Sequence, residues 1–109
     1  MIKVYQIQLT NEEVDAINRD ESFPKAKAFF DRSFDSTFRP ENFQYYTHVA
    51  NVHTDDMEEA FRAMNLWDET GHMVERLGPC SSMSVGDILE DRDGLLSRVA
   101  SWGFSAVEI

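Results

Sequence analysis

Met57, Ala60, Phe61 and Met64 recur at i, i+3, i+4 and i+7 within DMEEAFRAMN, the spacing that gathers side chains on one face of an α-helix. A helix with a single apolar face has to lie against another element, and the flanking sequence offers β-structure to cover it. Upstream, FQYYTHVANV (Phe43 to Val52) is aromatic and β-branched and reads as a strand. Thr54 or Asp55 is placed to cap the helix, with Glu58 three residues beyond Asp55, and the helix is expected to end near Asn65. Downstream, Val85 to Leu89 and Leu95 to Ser101 flank Asp91-Arg92-Asp93-Gly94 and read as a hairpin. Gly103 then bends the chain into a last strand, Phe104 to Ile109.

The first half repeats the alternation of strand and helix. Ile2 to Leu9 reads as a strand, with Tyr5, Ile7 and Leu9 on one face and Ile2 and Val4 on the other. Thr10 and Glu13 form a capping box at the start of a helix, Leu9 and Val14 are placed as its hydrophobic staple, and Val14 with Ile17 is expected to be buried. A second helix is expected from Ser22 or Phe23, with Pro24 in its first turn and Ala26, Phe29 and Phe30 on its apolar face. Phe34, Phe38 and Pro40 fall in an irregular link, and Leu66 to Pro79 is a connection with a short helical turn around Met73 to Leu77. Trp67 and Trp102 read as core or core-edge residues, Trp102 sharing an alternating face with Leu96 and Ala100. The expectation is one α+β domain over residues 1–109: a small, mainly antiparallel sheet, about three helices and a C-terminal β-hairpin.

Charge separates the function classes. Twenty acidic against ten basic residues give a net charge of −10. Residues 1–50 hold eight acids and six bases, whereas residues 51–109 hold twelve and four. Such a field repels phosphate and argues against direct binding of nucleic acid or an anionic membrane, while it attracts a basic protein surface. No apolar run approaches the ~20 residues that span a bilayer, and the N-terminus lacks the pattern of a secretory leader. Cys80 is the only cysteine, so no intrachain disulfide can form, and a cytoplasmic protein is expected.

The chemistry-bearing residues form no recognised catalytic pattern. His48, His53, His72 and Cys80 are separated by five, nineteen and eight residues, unlike the short paired spacings of zinc sites. Strict strand alternation would also set His48 and His53 on opposite faces. Neither a metal nor another cofactor is expected. Ser81, Ser82 and Ser84 precede a strand without a nucleophile elbow or a glycine-rich phosphate loop, and small hydroxyls there ordinarily cap backbone groups. No catalytic residue is assigned, and the chain reads as a non-enzyme. Asp55, Asp56, Glu58 and Glu59 suit a helix start, where carboxylates favour the dipole. That service does not extend to Asp68, Glu69, Asp87, Glu90, Asp91 and Asp93. Together these ten are the candidate partner-binding face.

DMEEAFRAMN, then SMSVGDILE, a hairpin closed by Asp93-Gly94, and SWGFSAVEI resemble YodL-like domains, small domains of phages, plasmids and integrative elements. The matching positions are Met57 to Asn65, Ser82 to Leu89, Asp93-Gly94 and Ser101 to Phe104, with Trp102 where phenylalanine is more usual. The resemblance covers roughly half the chain and implies a mobile-element setting without supplying catalytic residues. Combined with the charge, it leads to an interaction protein that engages a basic host enzyme, in its sharpest form by imitating DNA phosphates before a nucleic-acid-binding or defence enzyme. A different class of reading is a small-molecule or nucleotide-binding module using Tyr46, His48 and the Ser82–Ser84 loop. A third is a structural subunit that forms a homodimer through an exposed sheet edge.

Overall fold

Six strands form one antiparallel sheet in a computed structural model that describes residues 1–34, 39–65, 71–100 and 103–107. They are β1 (Ile2–Gln6), β2 (Thr47–Val52), β3 (Val74–Arg76), β4 (Ile88–Glu90), β5 (Leu96–Ala100) and β6 (Gly103–Val107), in the spatial order β3-β2-β1-β4-β5-β6. Among the described residues there are three α-helices: α1 (Asn11–Asn18), α2 (Pro24–Phe34) and α3 (Met57–Asn65). The chain is therefore α+β and carries a β5–β6 hairpin near its C-terminal end. Among the described residues no helix is long and apolar enough to cross a membrane.

α3 covers one face of the sheet, as its apolar stripe requires. Ala60, Ala63 and Met64, all fully buried, pack with Ile2, Val4, Val52, Leu89 and Val99. The registers Ile2↔Val52, Val4↔Ala50, Val4↔Leu89 and Val99↔Phe104 place these residues on a single face. Asp56 caps the helix, accepting from the backbone N–H groups of Glu58 and Glu59 at 2.9 and 3.3 Å. Thr54 instead accepts from the Asp56 N–H, so the cap falls one or two residues later than the sequence suggests. The capping box of α1 is present in full: Glu13 N–H donates to Thr10 Oγ1 and Thr10 N–H to Glu13 Oε1. Val14, however, is exposed and α1 buries nothing, because β1 stops at Gln6 and the helix lies at the periphery, tied to α2 by Lys25–Glu13 at 2.8 Å.

Several other expectations shift. α2 buries Ala26 and Ala28, two apart and so on different sides of the helix, and leaves Phe30 exposed. The aromatic stretch before β2 is a 3₁₀ turn, Pro40–Tyr45, whose opening proline has its φ preset for a helical first position. The link after α3 yields a 3₁₀ turn at Gly71–Met73 and then a strand, β3, pairing Val74 with Val52. Phe38, Leu66, Trp67 and Trp102 lie outside the described residues.

One irregularity redistributes the side chains of β2. Val4 pairs with Ala50 while Tyr5 pairs with His48, leaving Val49 as the extra residue of a bulge. Alternation is broken there, so His48 and Asn51, three apart, share a face and meet at 2.7 Å (Nε2 to Oδ1). Strand alternation therefore does not separate His48 from His53.

The second face carries α2 and the 3₁₀ turn. Phe43 meets the Tyr5 ring edge-on at 5.1 Å, and Arg98 Nη2 donates to the Arg32 carbonyl at 3.0 Å. Gly86 lets this contact form: its φ is +93°, and a Cβ there would sit 2.3 Å from the Arg32 carbonyl oxygen. Gly94, in the β4–β5 turn, also has a positive φ (+83°) but faces open space. Gly94→Ala is expected to cost about 1 kcal/mol from backbone strain alone. Gly86→Ala adds a backbone clash and is expected to cost roughly 3 kcal/mol or more. Urea unfolding of the two variants measures the difference, and equal losses would refute the close-approach account.

Candidate functional site

The fold brings two acidic segments to one end of the sheet. Arg92, in the β4–β5 turn, reaches Asp55, before α3, at 3.6 Å, and Asp55 also accepts from the Met1 ammonium at 2.7 Å. These cations, the ammonium first, hold the Asp55 carboxyl below its usual range. Asp56 is committed to capping α3, and Asp91 accepts from the backbone N–H groups of Asp93 and Leu95 to shape the turn. Glu58, Glu59 and Asp93 are exposed. Glu90 is half-buried, with Lys3 at 3.7 Å and the Tyr5 hydroxyl donating to it at 2.9 Å. Burial first, then Glu90, pushes the Tyr5 hydroxyl up to about 12, so it stays protonated at neutral pH. Of the ten acidic candidates, Asp55, Asp56, Glu58, Glu59, Glu90, Asp91 and Asp93 thus belong to this end. Asp68 and Glu69 lie outside the described residues.

Asp87 does not belong there. It is 3% exposed and accepts from the Ser84 N–H at 2.9 Å and from Gln6 Nε2 at 3.1 Å, with Arg32 Nη1 3.6 Å away. The surface role expected from its charge is corrected by this position. A carboxylate at the entry to a strand whose two faces are both covered is enclosed, whatever its contribution to net charge. Arg32 donates from Nη1 to Ser84 Oγ and to the Val85 carbonyl, each at 3.1 Å, and lies over the Phe29 ring at 4.4 Å. Gln6 exchanges bonds with the Ser81 backbone, and Tyr46 donates its hydroxyl to the Gly86 carbonyl at 2.6 Å.

These contacts define the serine-rich stretch as a clasp between β1, α2 and the β4–β5 pair. Tyr46 and the Ser84–Asp87 loop do meet, but the phenol is occupied as a brace, and burial followed by Asp87 pushes it up to about 12. His48 stands elsewhere, against Tyr5 and Asn51. Ser82 is exposed and Cys80 half-buried. Among the described residues no three His, Cys, Asp or Glu side chains converge as a metal site would require. Sequence reasoning missed Gln6, Arg32 and Arg98. Gln6 leaves a signal, since it continues the inward alternation of Ile2 and Val4 as a polar residue.

A groove of about 630 Å³ opens between α3 and the β5–β6 hairpin. Phe61, Val85, Val99, Ala100 and Phe104 make it largely apolar, and Glu58 and Ser84 supply its polar atoms. The Phe61 and Phe104 rings stand 6.5 Å apart in an edge-to-face arrangement.

Burial, partly offset by the Ser84 N–H, Arg32 and Gln6, raises the Asp87 carboxyl to about 6. The folded state therefore holds this proton more tightly than the unfolded chain does. The resulting stability is fully present below about pH 4 and is lost as pH rises through about 6, an effect on the order of 3 kcal/mol. Unfolding midpoints of the protein and of Asp87→Asn, compared from pH 4 to 8, should show this decline only in the former. Parallel profiles would remove the buried-carboxylate account.

No family model, curated protein or solved structure matches this chain.

Proposed function

We propose that this chain is a non-enzymatic protein-interaction module of a phage or related mobile element, whose acidic end engages the basic surface of a host nucleic-acid-binding or defence enzyme. The observation that carries the reading is the convergence of Asp55–Glu59 with Glu90–Asp93, segments separated in sequence and linked by the Arg92–Asp55 contact. A carboxylate cluster presented by a helix start and a tight turn is held in place, so less side-chain and loop entropy is lost on docking. Net charge of −10 adds long-range attraction toward a cationic groove, and imitation of DNA phosphates is the sharpest form of the idea. The resemblance of the C-terminal half to YodL-like domains supports the mobile-element setting.

Capture from host lysate, with partners identified by mass spectrometry, is the direct test. A cognate partner is expected to be a basic protein whose retention declines steeply between ~50 and ~300 mM salt. Glu59→Lys combined with Asp93→Lys alters two exposed carboxylates and should weaken that retention on the order of tenfold. Retention that ignores both salt and charge reversal would sink this function.

A further inference from the structure

The two edges of the sheet differ in kind. β3 is three residues long and two of them, Glu75 and Arg76, are charged, which discourages further pairing. β6 reads GFSAV, five residues with neither a charge nor a proline, so among the described residues it lacks these two edge protections. The backbone alternation also shows which of its groups face outward. Val99 spends its carbonyl on Gly86 N–H and its N–H on the Asp87 carbonyl, so Arg98 and Ala100 turn theirs toward β6. With Arg98 opposite Ser105 and Ala100 opposite Gly103, the outward N–H and C=O groups of β6 belong to Phe104 and Ala106. Among the described residues nothing pairs with them.

The apolar groove begins at the same residue. Phe104 lies opposite Val99 on the α3 face and lines the groove with Phe61, while Glu58 stands at the groove's polar side. In a strand added beside β6, a residue opposite Phe104 sends its side chain to that same face. Backbone pairing and groove filling are therefore available to one extended segment.

We propose that β6 accepts an extended segment of a partner polypeptide as a seventh strand, with an apolar side chain seated in the groove against Phe61 and Phe104 and a lysine or arginine beside Glu58. Charge complementarity selects this occupant. A second copy would bring GFSAV, which has no cation to answer Glu58, on a chain of net charge −10. The inference rests on the reading of the chain as an interaction module and adds the segment's conformation and pattern.

Random peptides displayed on phage, selected on the immobilised protein and resynthesised for fluorescence anisotropy, provide the test. Recovered peptides are expected to alternate apolar residues and to carry lysine or arginine. Ala106→Pro removes an outward N–H while leaving the bonds to β5, and Glu58→Lys reverses the groove charge. Each should weaken binding on the order of tenfold, whereas Glu75→Lys at the opposite edge should not. Far-ultraviolet circular dichroism checks the proline variant, and Glu58→Lys, on an exposed helix position, gives the answer if that variant does not fold. Recovery of no peptide, peptides without the pattern, or undiminished binding in Glu58→Lys would overturn the proposal. So would a dimer by light scattering that Ala106→Pro dissolves, since a second copy would then occupy the edge. If lysate capture responds to Glu59→Lys/Asp93→Lys but not to Ala106→Pro, the strand inference fails while the interaction reading stands. If peptides bind as expected but lysate capture ignores the double reversal, the acidic-end reading fails instead.

Discussion

The buried carboxylate of Asp87 is the point on which the rest of the arrangement depends. One side chain answers the Ser84 N–H and Gln6 Nε2 and lies beside the Arg32 guanidinium, so it links the loop before β4 to β1 and α2. A charge in that position costs desolvation, and its own attraction to Arg32 at 3.6 Å does not make it a strong stabiliser. Its effect is selective. An apolar residue of similar size would leave one N–H of the buried Gln6 amide and the Ser84 backbone donor unanswered, so few alternative packings of α2 against the sheet are tolerable. Gly86 acts in the same direction by allowing the Arg32 carbonyl to approach the chain immediately before Asp87.

The Val49 bulge has a comparable reach on the other half of the sheet. By admitting one extra residue it keeps Val49 in the core yet turns both His48 and Asn51 to the second face. Asn51 then donates to Glu75 at 3.0 Å, so β2 and the short β3 are joined by side chains as well as by their ladder. The sheet has an apolar face under α3 and a face where Tyr5, His48, Asn51 and Glu90 satisfy one another's polar groups. This polar pairing explains why histidine and tyrosine gather here without a converging set of ligands.

Features encoded over a few consecutive residues were legible in the sequence: the stripe of α3, the Thr10–Glu13 box, the Asp-Gly turn, and from them the α+β class. Others were hidden for identifiable reasons. β3 is too short for alternation to declare it, and the bulge has no residue signature. FQYY has the composition of a strand, but Pro40 starts a helical turn ahead of it and the strand waits until Thr47. Asp87 was misplaced because charge counting treats every carboxylate as exposed, whereas its position between Gly86 and the buried Ile88-Leu89 puts it inside. The acidic end was legible as composition. Its coherence was not, because the turn that carries Asp91 and Asp93 reaches Asp55 only through the strand order.

That strand order also sets a sequence of events. β1 occupies the middle of the sheet, yet Lys3 finds its two neighbours at Asn51 and Glu90. β1 must therefore remain without one flank until β4 has been synthesised, while β4, β5 and β6 can pair among themselves through short connections. β2 can flank β1 earlier, so the sheet closes around Ile2–Gln6 only when β4 pairs with it. Until then the β4-side edge of β1 is without its partner on the nascent chain.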